Sequence, residues 1–432
     1  MKLFATILEE TCDAAIDAIR NLTADHDGIE VRAERFPSLD APAIRAATSK
    51  PIVLTYRTVP GAEARSTFFE SVEALRAGID FIDVEWREDV EIVARERTVL
   101  SHHDYQGMRD VESIVAAMLA RKCALTKLAA TPATFAGNER LLALLGAGAK
   151  SLTVIGMGER GMYSRILAPF RGSAWTFVAG GSIAAPGQLT LERALDIYGP
   201  RRDALHAGKV FAVAGNPAGH SLSPSIHNRL FREKGVPAAY TIASVERFDE
   251  IAEPFLRGEP CGLSVTSPFK DDAFAFARAH GTEIGENAVR ARAVNTLVNA
   301  GGRILADNTD VDGFAALMPR ADCAAILGAG GTARAAKVAL QNAGIPALLF
   351  NRTASKGDVP LAALAIFDGQ LIVNTLPAGV DVPIPPCEIY FEAAYGGPVR
   401  DVSAGRRIGG LELLHAQAAR QHELFMKVFD GL

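Results

Sequence analysis

Ile326-Leu327-Gly328-Ala329-Gly330-Gly331-Thr332-Ala333 reads G-x-G-x-x-A at the end of one apolar run and the head of a helical one. Small residues are needed there for a tight turn, so that a dinucleotide pyrophosphate can approach the backbone N–H groups of a helix start. The bare motif is common, and its surroundings give it weight. An apolar run at 323–327 precedes it, and a second at 346–350 follows the helix. Asn351, Arg352 and Thr353 stand at the end of that second run, with Lys356 close by. An NAD site normally places a carboxylate there for the ribose 2′-hydroxyl, whereas a guanidinium among polar donors suits a 2′-phosphate. NADP is the expected cofactor. The turn residues Gly328 to Ala333 would hold it, with Asn374 further along counted as a cofactor-binding residue too. The plainer alternative for Arg352 is a solvated surface residue.

Outward from this motif, 432 residues are too many for one ordinary core, and two or three domains are expected. Apolar residues at 49% and charged residues at 22% are enough to bury large cores. A net charge of −5 argues against nucleic-acid or anionic-membrane partners, so small-molecule anions must meet local positive charge. Cys12, Cys123, Cys261, Cys323 and Cys387 are scattered and form no C-x-x-C pair, which fits neither a disulfide framework nor a zinc site. Glu9 and Glu10 interrupt the weakly apolar start before a signal-like core forms, and no apolar run reaches about eighteen residues. A reduced, cytoplasmic enzyme without a metal is the expectation.

The first ~200 residues carry eight short apolar runs, at 3–8, 28–32, 51–57, 81–86, 99–103, 123–129, 151–157 and 175–179. Stretches with helical spacing, such as 111–122 and 138–145, lie between them. Eight strand-plus-helix units suggest a closed (β/α)8 TIM barrel; an open doubly wound sheet competes, and periodicity does not separate the two. Tyr198-Gly199-Pro200-Arg201-Arg202-Asp203 reads as a connector. A strand at 209–214 opens a second α/β pattern, the Rossmann unit follows, and an amphipathic helix at 410–429 closes the chain. The expected division is a barrel at 1–203, a substrate-binding domain at 208–312 completed by 411–432, and a Rossmann domain at 313–410.

Lys127 lies within an apolar run, where an unpaired ammonium is costly. Either it snorkels or sits in a loop, or it is a Schiff-base lysine activated by desolvation and neighbouring cations. Glu30, Arg32, Arg57, His103 and Arg165 fall at or near the C-terminal ends of other runs, the catalytic face of such barrels.

Motifs extend both readings. The second half contains Gly215-Asn216-Pro217, then His220-Ser221-Leu222-Ser223-Pro224-Ser225-Ile226-His227-Asn228. Further along are Gly262-Leu263-Ser264-Val265-Thr266-Ser267-Pro268-Phe269-Lys270, Ala293-Val294-Asn295-Thr296 and Asp307-Asn308-Thr309-Asp310. Near the end stands Leu414-His415-Ala416-Gln417-Ala418. In this order the blocks resemble the shikimate dehydrogenase family over residues 209–432. The resemblance implies Lys270 and Asp310 as the catalytic pair and Ser221 and Ser223 as carboxylate binders. It places Thr266, Asn295 and Gln417 around the ring hydroxyls and Tyr395 on the substrate side. Ser264 departs from the family's usual asparagine, which implies altered loop packing and intact chemistry. Read without the family, Ser223 with Pro224 is an ordinary helix start.

The first half contains Glu30-Val31-Arg32-Ala33-Glu34, Ser101-His102-His103-Asp104-Tyr105, Lys127-Leu128-Ala129, Met157-Gly158-Glu159-Arg160-Gly161-Met162-Tyr163-Ser164-Arg165 and Ala185-Pro186-Gly187-Gln188. These resemble class I 3-dehydroquinate dehydratases over residues 1–195. The resemblance implies an imine on Lys127, His103 as base and acid, and Glu30 holding His103 or a hydroxyl. Arg165, with Arg57, would neutralise the substrate carboxylate, with Arg32 beside them and Gln188 on a closing loop. His102 and His103 are separated only by the register of the motif. Two departures are Gly61, where the family usually has glutamate, and Ala184, where it has serine. They leave open a barrel kept as a scaffold, and an NAD-preferring quinate dehydrogenase is the other alternative.

Overall fold

The structure is a computed structural model that describes residues 1–22, 25–57, 72–147, 150–200, 205–377, 379–397 and 400–429. Residues 58–62, with the Gly61 departure, and 201–203 of the connector lie outside the described residues. The chain forms two compact units, Met1–Lys209 with Asn228–Val245, and Val210–His227 with Glu246–Leu432.

The eight apolar runs of the first unit become eight strands: β1 (Lys2–Ile7), β2 (Gly28–Arg32), β3 (Ile52–Thr55), β4 (Phe81–Glu85), β5 (Thr98–Asp104), β6 (Leu125–Ala130), β7 (Leu152–Gly156) and β8 (Trp175–Ala179). They pair in the order β7-β6-β5-β4-β3-β2-β1-β8, every named pair parallel. The seam between β7 and β8 is bridged by a side chain: Trp175 N donates to Thr153 Oγ1 at 2.9 Å, and that hydroxyl donates to Trp175 O at 3.2 Å. This is a nearly closed α/β barrel, and the open-sheet alternative is set aside. Connecting helices start on side-chain caps, with Thr11, Asp40, Thr134 and Thr190 accepting from backbone N–H groups of their first turns.

Strand alternation decides where Lys127 points. Leu125 and Ala129 belong to the interior cluster with Phe4, Val53, Val99 and Phe177, while Leu128 and Ala130 pack outward with Val111, Val115 and Leu141. Lys127 shares the parity of Leu125 and Ala129 and faces the interior, opposite Ser101 on β5 and Thr153 on β7. Below it, Phe4 and Trp175 stack with ring centroids 4.3 Å apart and fill the floor.

Residues 228–245 contribute β10 (Ala238–Ser244), which covers the wholly buried helix Met162–Leu167 of the same unit. Thr241 Oγ1 donates to Tyr163 O at 3.0 Å, and Ser244 Oγ donates to Glu159 Oε1 at 2.6 Å. That helix carries Arg165.

In the second unit, β9 (Lys209–Gly215), β11 (Gly262–Val265), β13 (Thr296–Ala300), β14 (Arg303–Asp307) and β12 (Glu283–Ile284) lie side by side in that order. A parallel sheet follows, made of β15 (Ala324–Leu327), β16 (Ala347–Asn351), β17 (Val359–Pro360), β18 (Leu371–Asn374), β19 (Cys387–Glu392) and β20 (Ala404–Ile408). Its order, β17-β16-β15-β18-β19-β20, is the 3-2-1-4-5-6 pattern of dinucleotide-binding sheets. The last helix is Gly410–Met426, ending slightly before the expected 429.

His227 and His422 are buried together in this unit, ring centroids 5.8 Å apart, with Phe425 edge-on to His227 at 5.2 Å. Burial, reinforced by His422 and opposed by a Gln421 hydrogen bond, pulls His227 from 6.5 down to about 3. The unfolded chain therefore takes up a proton near pH 6.5 that the folded chain refuses, and stability falls as pH drops from there toward 3. The urea midpoint is expected to decline between pH 7 and 5, less steeply in His227→Gln. Equal slopes for the two proteins would contradict this assignment.

Two candidate active sites

The barrel mouth gathers side chains from strands β1 to β6 and β8. Lys127 Nζ donates to Glu30 Oε1 at 2.9 Å, lies 3.5 Å from Asp83 Oδ2, and sits 3.8 Å from the centroid of the Phe177 ring. Glu30 is fixed from behind, its carboxylate accepting from Thr6 Oγ1 at 2.8 Å and Thr55 Oγ1 at 3.1 Å. Burial would raise the Glu30 carboxyl, but Lys127, helped by Arg32 and Arg57, outweighs burial and holds it down to about 2. The expected crowding of Lys127 by cations is corrected here: its nearest charged partners are two carboxylates. Charge pairing is what makes an interior ammonium tolerable.

Arg57, two residues past β3, donates from Nη1 to His103 Nδ1 at 2.9 Å and to Ser101 Oγ at 3.4 Å. Asp83 and Glu85 flank the guanidinium at 3.7 and 3.6 Å, and Glu85 Oε1 is 3.8 Å from His103 Nδ1. Burial first, then Arg57, Lys127, Arg32 and His102, push the His103 imidazole well below its ordinary 6.5. The ring is therefore neutral near pH 7, and because arginine only donates, Nδ1 is the accepting nitrogen. Strand parity selects between the two histidines. His103 lies on the face of Ser101 and lines the cavity; His102 does not.

Arg165 is buried, donating from Nε to Gly156 O at 2.8 Å and from Nη2 to Pro186 O at 3.3 Å. Among the described residues no carboxylate pairs with it, and burial lowers it to about 10, with Tyr198 opposing. A buried cavity-lining guanidinium without a counter-ion suits an anionic substrate group. Arg32 also lines the cavity but is already bound to Glu34, Nε to Oε1 at 2.8 Å. Gln188 accepts from Ala184 N at 2.8 Å and donates to Thr6 Oγ1 at 3.2 Å, so the loop after β8 is tied to Gln188 through backbone where a serine is absent. Asp83 and Glu85 are the residues sequence reasoning missed. Their two-residue spacing on β4 was the available signal, since it puts both on one face.

The second site lies wholly in the second unit. Lys270 begins the helix Lys270–Ala279, and its Nζ donates to Asp310 Oδ2 at 2.5 Å and to Thr332 Oγ1 at 2.8 Å. Asn295 Nδ2 donates to Asp310 Oδ1 at 2.8 Å and to Thr309 Oγ1 at 3.1 Å, and Thr309 Oγ1 donates to Gln417 Oε1 at 3.1 Å. Asn295 and Gln417 line the cavity, yet much of their bonding capacity holds Asp310 and its helix start. Ser221, Ser223, Thr266 and Tyr395 line the same cavity. Ser221 Oγ accepts from Ser223 N at 3.2 Å, so Ser221, rather than Ser223, is the acceptor at that helix start. Ser264 donates to Gln421 Oε1, whose Nε2 donates to Thr296 Oγ1 at 2.8 Å; the serine departure is absorbed by this contact.

At the dinucleotide turn, Gly328 takes φ +107°, which favours glycine, and its N–H donates to Phe350 O at 2.9 Å. Gly330 precedes the helix Gly331–Asn342 without a side-chain cap, and a Cβ built on it would meet nothing within 4 Å. Open space before uncapped helix N–H groups fits a pyrophosphate. Asn351 ends β16, Asn351 Nδ2 donates to Thr353 O at 3.2 Å, and Arg352, Thr353 and Lys356 are exposed beyond it. Asn374 is a correction. Its side chain is buried, donating to Tyr390 Oη at 3.0 Å and to Glu392, and accepting from Leu376 N at 3.1 Å. It shapes the loop after β18 instead of presenting its amide to a cofactor.

Comparison with known proteins matches residues 3–203 to the type I 3-dehydroquinase model and residues 213–297 to the shikimate dehydrogenase substrate-binding domain. The pentafunctional AROM polypeptide of Mycosarcoma maydis is 31% identical over 403 residues, covering 79% of this chain and 23% of that one. The chloroplastic bifunctional 3-dehydroquinate dehydratase/shikimate dehydrogenase of Arabidopsis thaliana is 25% identical, covering 82% and 68%. Shikimate dehydrogenase (NADP(+)) of Shewanella halifaxensis is 32% identical over 256 residues, covering 50% of this chain and 90% of its own length. The chain thus spans about a quarter of the fungal relative and most of the other two. The barrel site lies within residues 3–203, and the second site begins within 213–297 and is completed by later residues such as Asp310, Thr332 and Gln417. The chain belongs to the type I 3-dehydroquinase family in its first half and to the shikimate dehydrogenase family in its second.

Proposed function

We propose that this chain performs two consecutive steps of the shikimate pathway, dehydrating 3-dehydroquinate at the barrel mouth and reducing 3-dehydroshikimate to shikimate in the second half. The division into residues 1–203, 208–312 with 411–432, and 313–410 belongs to the same proposal. The observation that carries it is the inward Lys127, 2.9 Å from Glu30 in a cavity that also holds His103 and Arg165.

In the first step Lys127 Nζ passes a proton to Glu30 or Asp83, the carboxylates beside it, and attacks the C3 ketone; that proton returns as the ketone oxygen leaves as water, giving a protonated imine. The imine draws in the electron pair as His103 removes the C2 proton, and His103 returns that proton to the departing C1 hydroxyl. Water then releases the product from Lys127. Arg165 binds the substrate carboxylate, and Arg57 must swing off His103 Nδ1 if that nitrogen is the base.

In the second step Ser221 and Ser223 hold the carboxylate, Asp310 orients Lys270, and Lys270 gives a proton to the carbonyl oxygen. NADPH, when bound, supplies the hydride. The turn 328–333 would hold its pyrophosphate and Arg352 its 2′-phosphate. Arg352→Ala is expected to lower kcat/KM for NADP by about ten- to a hundredfold, the size of a charged hydrogen bond, with NAD little affected. An equal loss with both cofactors would point to a structural role. A wild-type preference for NAD and quinate would replace this reading with a quinate dehydrogenase.

The whole proposal is tested by adding dehydroquinate and NADPH to the purified chain alone. Shikimate should form as NADPH absorbance falls. Consumption with dehydroshikimate but not with dehydroquinate would leave only the reductase.

A further inference from the structure

Asp310 is not the sole anchor of Lys270. Thr332, which accepts from Nζ at 2.8 Å, belongs to the first turn of the helix Gly331–Asn342 and so to the dinucleotide turn itself. An ammonium has three N–H donors. Two are committed to acceptors 40 and 62 residues away in the chain, which leaves one tetrahedral direction for the cavity that Lys270 lines.

Two more contacts join the same turn to the same lysine. A Cβ at Gly331 would lie 3.0 Å from Lys270 Cδ and 3.1 Å from Lys270 Cβ, so the bare backbone of the turn lies against the lysine stem. Arg334 Nη2 donates to Asp271, the residue after Lys270, while Nη1 donates to Ala329 O at 3.1 Å inside the turn and Nε to Ala291 O at 2.7 Å. The proton-donating side chain and the seat of the hydride carrier are therefore built as one piece.

We propose that Thr332 is a positioning residue for the reduction, fixing the aim of Lys270 relative to the cofactor turn. This rests on the reductase reading of the second half. The plainer reading is a polar residue that merely starts a helix or contacts the cofactor.

Thr332→Val removes the acceptor at nearly constant volume, and Thr332→Ser keeps it. The valine variant should lose about ten- to a hundredfold in kcat for shikimate oxidation, as for one hydrogen bond to a charged group. KM for shikimate and the NADP Kd, read by quenching of protein fluorescence, should stay within about twofold of wild type, by the distinction between aim and binding. Serine should restore most of kcat. Without cofactor, acetic anhydride should label Lys270 faster in the valine variant than in the serine variant or wild type, read by peptide mass.

Wild-type kcat and labelling in the valine variant would overturn the proposal, as would equal losses in valine and serine. A loss carried entirely by the NADP Kd would assign Thr332 to cofactor binding instead. A wild-type protein that oxidises no shikimate would sink the reductase reading, and the labelling contrast would still report on the Thr332 contact.

Discussion

Lys127→Ala and Lys127→Arg are both expected to abolish dehydroquinate turnover while shikimate oxidation continues at the wild-type rate. The two substitutions separate charge from nucleophile. Arginine keeps a cation for Glu30 and Asp83 but cannot form the imine. Alanine leaves Glu30 buried without its partner, which costs about 3–5 kcal/mol in comparable pairs, so only this variant should also lower the melting temperature of the barrel. Reductase activity in the same chain is the internal control for folding of the rest. Measurable dehydration by either variant would remove Lys127 from the chemistry. A scaffold barrel has no reason to hold an ammonium 2.9 Å from one buried carboxylate and 3.5 Å from another beneath a cavity lined by His103 and Arg165.

Lys270→Ala is the second large effect. Loss of a positioned general acid typically costs about 10²–10⁴ in rate, and reduction of dehydroshikimate should fall by that much. The NADP Kd should hold, because the dinucleotide seat proposed above rests on backbone at 328–333 and on Arg352. Dehydroquinate loss should be unaffected. A drop of less than about tenfold, too small for a proton donor, would mean that the proton comes from elsewhere in the cavity.

Much of this was legible from residue order alone. The eight apolar runs mark all eight barrel strands, because parallel strands buried on both faces read as near-continuous hydrophobic stretches. Glycine spacing at 328–331 marks the turn, because only small residues fit it. Pairing across strands was not legible. Asp83 and Glu85 sit in the run 81–86, and only the register beside Ser101 reveals that they meet Lys127, Arg57 and His103. The carboxylate surroundings of Lys127 reverse the expected cationic ones for the same reason. Asn295 and Gln417 were read as substrate contacts, but the network Asn295–Thr309–Gln417 spans more than a hundred residues of sequence. Asn374 misled because its strand-end position is shared with cofactor contacts, while its neighbours Tyr390 and Glu392 are on the next strand. Residues 228–245 grouping with the barrel had no local signature, since β10 meets the helix Met162–Leu167 through contacts about eighty residues apart.

Chemical capture of the imine bears on the central claim most directly. Dehydroquinate followed by borohydride should fix substrate-derived mass on the peptide that carries Lys127, with loss of dehydratase activity in proportion and none without substrate. Substrate-dependent mass on another lysine, or none while dehydroshikimate still forms, would contradict the account.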